Sequence, residues 1–157
     1  AVSELNVTVA NAPEGLSFSK LTNTNGTITG TVAVACDVAV GANQVTLRVS
    51  DGELSGTAAF TVNVTANTPP VLDAYTSPAP LPAGESVAVT PTAAPTDNGS
   101  LASVIALVSG AYSGSVSVNP ATGVVTLSNV RPAGTFTANL TVTDNCGATA
   151  SRKGLIE

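Results

Sequence analysis

The sequence contains no histidine, methionine or tryptophan, and lysine and arginine together number only five among 157 residues. Histidine is the usual general base and a common metal ligand, so its absence removes most hydrolytic, redox and metal-hydrolase mechanisms. Two cysteines are too few for a zinc site or a disulfide scaffold. The sequence therefore predicts no catalytic residue, no enzyme activity and no organic cofactor.

Charge is also scarce: 10% of residues are charged, and the net charge is -5. An acidic surface repels phosphate backbones and anionic lipids, so no nucleic-acid partner is expected. No apolar run approaches the roughly 18 to 20 residues that cross a bilayer, and we expect no membrane insertion. Scarce lysine beside abundant threonine, serine, asparagine and glycine favours an extracellular, cell-surface location.

What the sequence does contain is short alternating segments. In LNVTVA, residues 5–10, the apolar Leu5, Val7 and Val9 alternate with polar side chains, as in a strand with one wet face. LASVIALV, residues 101–108, also fits a helical stripe, but its length, flanking glycines and β-branched residues favour a strand. Further alternating segments separated by Gly-, Asn- and Pro-rich turns lie at residues 26–32, 44–50, 59–65, 86–90, 113–118, 123–128 and 134–144.

This spacing predicts an all-β protein made of two tandem antiparallel β-sandwiches. The domains are expected at residues 1–67 and 71–157, joined by a Pro-rich linker at 68–70. The halves are related: NTNGTITGTV at 23–32 matches NPATGVVTLSNV at 119–130, and VTLRVSDG at 45–52 matches ANLTVTDN at 138–145. Such internal similarity is typical of a modular array.

Three segments carry a family resemblance: NGTITGTV at 25–32, NQVTLRVSDGELSGTAAFTVNVT at 43–65 and AGTFTANLTVTDNCGATA at 133–150. They resemble the immunoglobulin-like and cadherin-like repeats of bacterial and archaeal surface proteins. The resemblance implies a non-catalytic spacer, stalk or adhesive module whose partners are neighbouring repeats, identical subunits, a cell-surface protein or a glycan. One alternative is a carbohydrate-binding or spacer module of a secreted enzyme, with Tyr75 and Tyr112 as candidate sugar platforms.

Both ends depart from the family pattern. Only four residues precede the first alternating segment, so the first domain is expected to lack its first strand. Lys153 stands where Phe60 stands in the first half, and the second domain is expected to end one strand short. Either the chain is a piece of a longer array, or one subunit donates a strand to the next and builds a filament by strand complementation.

Calcium is the one metal that the resemblance suggests, because cadherin-like modules stiffen their joints with loop carboxylates. The candidate ligands are Asp51, Glu53, Asp73 and Asp144. The alternative is that these acids only cap their own turns. Cys36 and Cys146 lie in different halves and are either two thiols or a bridge, which requires Cα atoms within about 7 Å.

Overall fold

A computed structural model describes residues 5–156 of the chain, with side chains up to residue 154. All regular structure in this range is β-strand, and every strand pair is antiparallel, which confirms the predicted all-β class. The described range has no helix with the length and apolar character that crossing a membrane requires. The chain divides into two compact units, Ala1–Ala66 and Asn67–Glu157.

The first unit consists of a three-stranded sheet in the order β1-β4-β5 and a separate two-stranded hairpin, β2-β3. Its central strand β4 pairs with β5 along its full length, from Gly41↔Val64 to Ser50↔Ser55. The five strands are β1 (Asn6–Asn11), β2 (Leu16–Thr24), β3 (Thr27–Val34), β4 (Gly41–Ser50) and β5 (Ser55–Val64).

The core of the first unit lies between these two sheets. Val45 and Leu47 of β4 are 0% and 8% exposed, because every second residue of this strand turns inward. Leu16 of β2 meets them from the hairpin. In contrast, the outer strands β3 and β5 are mostly exposed along their length.

The second unit has two three-stranded sheets, β11-β10-β7 and β6-β9-β8. Residues 101–108 form a strand, as their length and flanking glycines predicted. The six strands are β6 (Val87–Val89), β7 (Leu101–Val108), β8 (Ser115–Val118), β9 (Val125–Ser128), β10 (Phe136–Asp144) and β11 (Thr149–Ile156).

One core joins the two sheets of this unit. Leu127 and Val125 of β9 are 0% and 2% exposed, and Leu140 and Val142 of β10 are 1% and 0% exposed. Leu72, which precedes all six strands, is buried in the same core. The alternating burial that the sequence predicted therefore runs along all of β10. Its even-numbered residues are buried and its odd-numbered residues are half-buried.

The end of the second unit differs from expectation. The segment that was expected to fall one strand short forms β11, which pairs with β10 from Thr143↔Thr149 to Phe136↔Ile156. Lys153 is compatible with this strand because its side chain is exposed. The strand expected to be missing before β1 would precede the described residues, and that expectation stays a prediction.

Candidate functional site

The four predicted calcium ligands lie in different parts of the chain. Asp51 and Glu53 occupy the turn between β4 and β5 of the first unit, whereas Asp73 and Asp144 belong to the second unit. Among the residues that the structure describes, no three acidic or cysteine side chains form a group that could hold a metal ion. The structure therefore does not gather the predicted ligands into one site.

Asp144, at the end of β10, is 1% exposed and is bonded through both carboxylate oxygens. Oδ2 accepts a hydrogen bond from the side-chain amide of Asn67 at 2.7 Å. Oδ1 accepts from the backbone N–H groups of Cys146 at 2.8 Å and Ala148 at 2.9 Å. The Asn67 amide, followed by these backbone donors, lowers the pKa of Asp144 against the opposing effect of burial. This carboxylate fastens the start of the second unit to the β10–β11 turn.

Asp51 holds the equivalent position at the end of β4, but it is exposed. Its Oδ1 accepts hydrogen bonds from the backbone N–H groups of Leu54 at 2.7 Å and Glu53 at 3.0 Å. These two donors, Leu54 first, lower the pKa of Asp51. Asp51 therefore caps its own hairpin turn, which is the role expected of a turn acid that binds no calcium.

A second group of polar residues near the start of the second unit was not predicted from the sequence. Gly99 N–H donates to Asp97 Oδ2 at 2.8 Å, and Ser100 N–H donates to Asn145 Oδ1 at 3.1 Å. Thr68 N–H donates to the side chain of Asn98 at 3.3 Å. The only available signal was the turn sequence DNGS at 97–100, which indicates a turn but not its partners.

The two tyrosines proposed as sugar platforms are used inside the second unit. Tyr75 is half-buried and donates from Oη to the backbone oxygen of Gly123 at 2.6 Å, and burial raises its pKa. The ring of Tyr112 packs edge-on against Phe136, with ring centroids 5.4 Å apart. Both tyrosines therefore take part in the packing of the second unit.

The cysteines are not available for thiol chemistry. Cys36 and Cys146 are both disulfide-bonded, and neither is a free thiol. Since the thiolate is the reactive form of cysteine, neither residue acts as a nucleophile while it is disulfide-bonded.

The first unit contains an apolar feature that no sequence pattern predicted. A cavity of about 300 Å³ opens between its two sheets on the side of β3 and β5, and we call it the apolar groove. Phe60 and Val32, on opposite sheets, are each 38% exposed there, and Phe60 packs edge-on against Phe18 with ring centroids 6.2 Å apart. The groove is lined by Phe18, Leu21, Ile28, Thr29, Gly30, Val32, Leu47 and Phe60.

Two antiparallel units with apolar cores between their sheets define the class: an all-β protein of two tandem sandwich modules. Residues 2–65, less than half of the chain, match the family described as "Putative Ig domain", so the first unit resembles an immunoglobulin-like domain. The predicted resemblance to immunoglobulin-like repeats is thereby confirmed for that unit. No curated protein matches the chain.

Among solved structures, the chain is similar to an endo-fucoidan hydrolase of glycoside hydrolase family 107, with 18% identity and a TM-score of 0.44 over 98% of this chain and 23% of that one. A SusE-like surface-located polysaccharide-binding protein of Bacteroides thetaiotaomicron gives 18% identity and a TM-score of 0.37, over 98% of this chain and 29% of that one. Protocadherin gamma B7 gives 15% and 0.39, over 98% and 40%. The chain spans well under two thirds of each, and likeness at this level assigns it no function.

Proposed function

We propose that this chain is a non-catalytic structural module of an extracellular surface protein, a spacer or stalk segment that bears tension between neighbouring modules. The proposal rests on the hydrogen bonds that the predicted site residues make within their own units. Asp144, Asp51 and Tyr75 each accept or donate hydrogen bonds that hold their own unit together. The resemblance of the first unit to an immunoglobulin-like domain supports the same role.

The strand ladders suit a chain that is pulled from its ends. β5 lies at the edge of its sheet, and β4 lies between β5 and β1. β11 is likewise an edge strand on the central β10, paired along its whole length. Extending either unit requires these ladders to break together, because antiparallel backbone hydrogen bonds and the apolar core are lost in the same step.

Single-molecule force spectroscopy tests the proposal. The chain is pulled in the presence of a reductant, because both cysteines are disulfide-bonded. We expect two discrete unfolding events whose length gains are on the order of 200 and 300 Å, since the units hold 66 and 91 residues and an extended residue spans about 3.5 Å.

Matched substitutions assign the two events. Leu47→Ala in β4 and Leu140→Ala in β10 remove equivalent buried side chains, 8% and 1% exposed. Each is expected to lower the force of one event and leave the other unchanged. A featureless extension of the unsubstituted chain would contradict a mechanical role.

The structure bears on two alternative functions, a filament assembled by strand exchange and a carbohydrate-binding or spacer module. Donation of the C-terminal strand to another subunit is disfavoured, because that segment is β11 and pairs within its own unit. Glycan binding is disfavoured by the internal packing of Tyr75 and Tyr112. A glycan array checks the second point, and binding there would favour the carbohydrate-binding module.

Calcium binding stays a prediction for Asp51, Glu53, Asp73 and Asp144. Both oxygens of Asp144 already accept N–H donors, which a calcium ion would have to displace. A thermal melt with millimolar calcium and then chelator tests it: a reversible rise in melting temperature supports the site, and no shift removes it.

A further inference from the structure

We propose that the outer edge of β7 pairs with the same edge of a second copy of this chain, in an antiparallel arrangement with a twofold axis at Ala106. The sheets β11-β10-β7 of the two copies would then join into one continuous sheet. The spacer role does not require this contact, so the inference goes beyond the proposed function.

Strand β7 is an edge strand that lies well inside the described chain. Among the described residues it pairs with β10 alone, although β6 precedes it and β8 follows it in the same unit. Its outer face carries Ile105 and Leu107, which are 52% and 67% exposed. The other edge of the sheet, β11, instead carries Arg152 and Lys153. An uncharged edge strand of 8 residues with exposed aliphatic side chains is a template for pairing with another strand.

The backbone groups of β7 that face its open side belong to alternate residues. Just after the strand, Ser109 N–H donates to the carbonyl oxygen of Thr137 at 2.9 Å, toward β10. In an antiparallel pair, residues that bond to one neighbour alternate with residues whose N–H and C=O groups face away from it. Counting back by twos along the register, the odd-numbered residues bond to β10. The outward-facing groups therefore belong to Val104, Ala106 and Val108.

The sequence of β7 reads nearly the same in both directions, which selects a second copy as the partner. In SVIALVS, residues 103–109, a serine, a valine and a larger aliphatic residue stand in mirrored order on the two sides of Ala106. A twofold axis at Ala106 places Val104 opposite Val108 and Ile105 opposite Leu107. This symmetry suits two identical antiparallel strands, because each class of side chain then meets its own class.

The same twofold axis also satisfies the backbone. Val104, Ala106 and Val108 of one strand would lie opposite Val108, Ala106 and Val104 of the other, so that outward-facing N–H and C=O groups meet in hydrogen-bonded pairs. Ile105 and Leu107 would face each other at the intervening positions, where side chains approach more closely. A shift of one residue would put the backbone groups out of phase and turn the aliphatic side chains to opposite faces of the joined sheet.

Strand β1 is the matched edge of the first unit and differs in both respects. It pairs with β4 as β7 pairs with β10, and β4 and β10 align in the repeat. Thr8 and Asn11 of β1 therefore stand where Ile105 and Leu107 stand in β7. β1 also has a register shift between Val9 and Asn11, and such an irregularity hinders edge pairing. Exposed aliphatic residues and regular pairing thus distinguish β7 from its counterpart.

Analytical ultracentrifugation of the full chain, from micromolar to millimolar concentration, tests the proposal. We expect a reversible equilibrium between monomer and dimer. Amide exchange measured over the same range locates the contact, because the outward N–H groups of Val104, Ala106 and Val108 bond to protein only in the dimer. We expect exchange at these three residues to slow as the concentration rises.

Matched substitutions separate this edge from the rest of the surface. Ile105→Lys and Thr8→Lys place the same charge at aligned positions of two edge strands. We expect the first to weaken dimerisation at least tenfold and the second to change it less than threefold. Ala106→Pro removes one outward N–H, a position at which edge strands tolerate proline, and is also expected to weaken the dimer at least tenfold. Circular dichroism and melting curves show whether each variant is folded.

Three results would overturn the assignment. One is a chain that stays monomeric at millimolar concentration with unchanged exchange in β7. Another is a dimer that Ile105→Lys and Ala106→Pro leave unaffected. The third is concentration-dependent protection confined to other strands, which would place the contact elsewhere. The pulling experiment follows single molecules, so its outcome is independent of this pairing.

Discussion

Strand β9 of the second unit and strand β3 of the first occupy equivalent places in the internal repeat, yet they differ in burial. β9 has β6 on one side and β8 on the other, and its Leu127 and Val125 are almost inaccessible. β3 pairs with β2 alone in the described part of the chain, and most of its residues are exposed. Alternating sequence thus makes a strand, but the neighbouring strand decides whether its apolar face is buried.

The central strands provide the control for this comparison. β4 and β10 each lie between two neighbours, and both bury every second residue over part or all of their length. Leu47 and Leu140, which align in the repeat, are 8% and 1% exposed. Aligned residues are therefore similarly buried in β4 and β10, which have two neighbouring strands each. The units differ at β3, which has one neighbour within the described residues.

The largest effect is predicted for a substitution in β9, the strand with a neighbour on each side. Leu127→Ala removes a fully buried side chain and is expected to destabilise the second unit by about 2–5 kcal/mol. Ile28→Ala, in the uncovered β3, is expected to cost less than half as much, because its side chain is only half-buried. Urea denaturation of the two variants measures both values.

Equal losses for the two variants would contradict the comparison.

The next effect concerns Asp144, whose buried carboxylate accepts three hydrogen bonds. Asp144→Ala leaves these donors without their acceptor, and we expect the melting temperature of the second unit to fall by roughly 10 °C. Asn67→Ala removes one donor and is expected to cause a smaller fall. Differential scanning calorimetry measures both, and an unchanged melting temperature for Asp144→Ala would refute the anchoring role.

The same group predicts a pH dependence. The folded-state pKa of Asp144 is lowered, so its stabilisation is complete above the unfolded-state pKa of about 3.9 and is lost as the pH falls through the lower folded-state value. The stabilisation that Asp144 gives the second unit should therefore be lost only below about pH 4. In melts from pH 2 to 6, Asp144→Asn should flatten this dependence; an unaltered profile would assign it to other acids.

The fold class was predictable from the sequence because a strand with one buried face has apolar residues at every second position. The segments at 5–10, 44–50 and 134–144 all lie largely within strands. The closing strand β11 was not predicted, because the comparison of Lys153 with Phe60 assumed that the position must be apolar. Position 153 is exposed in an edge strand, where a lysine is well tolerated.

The sites were harder to predict, because their partners are distant in sequence. Asp144 was recognised as a turn acid, but its bond to Asn67 spans 77 residues, and nothing in either local sequence encodes it. The apolar groove was missed for a related reason. Phe18, Phe60 and Val32 fit an inward-facing pattern, and a pattern cannot show whether a covering strand is present.

A smaller effect is expected at Tyr75. Its Oη bond to Gly123 is short and part-buried, so Tyr75→Phe should cost about 0.5–1.5 kcal/mol. Tyr112→Phe is the matched control, since its Oη bond to Ser115 is longer, at 3.3 Å, and exposed. Chemical denaturation should rank the first variant below the second in stability, and the reverse order would argue against the bond to Gly123.

The smallest effect is predicted at Asp51, which aligns with Asp144 but sits in an exposed turn. Its two backbone donors, Leu54 and Glu53, can bond to water when the carboxylate is altered. Asp51→Asn keeps one oxygen acceptor for the turn, so we expect the melting temperature of the first unit to change by less than about 3 °C. Calorimetry could instead show a fall in melting temperature as large as that of Asp144→Ala. Burial would then not explain the difference between these two aligned acids.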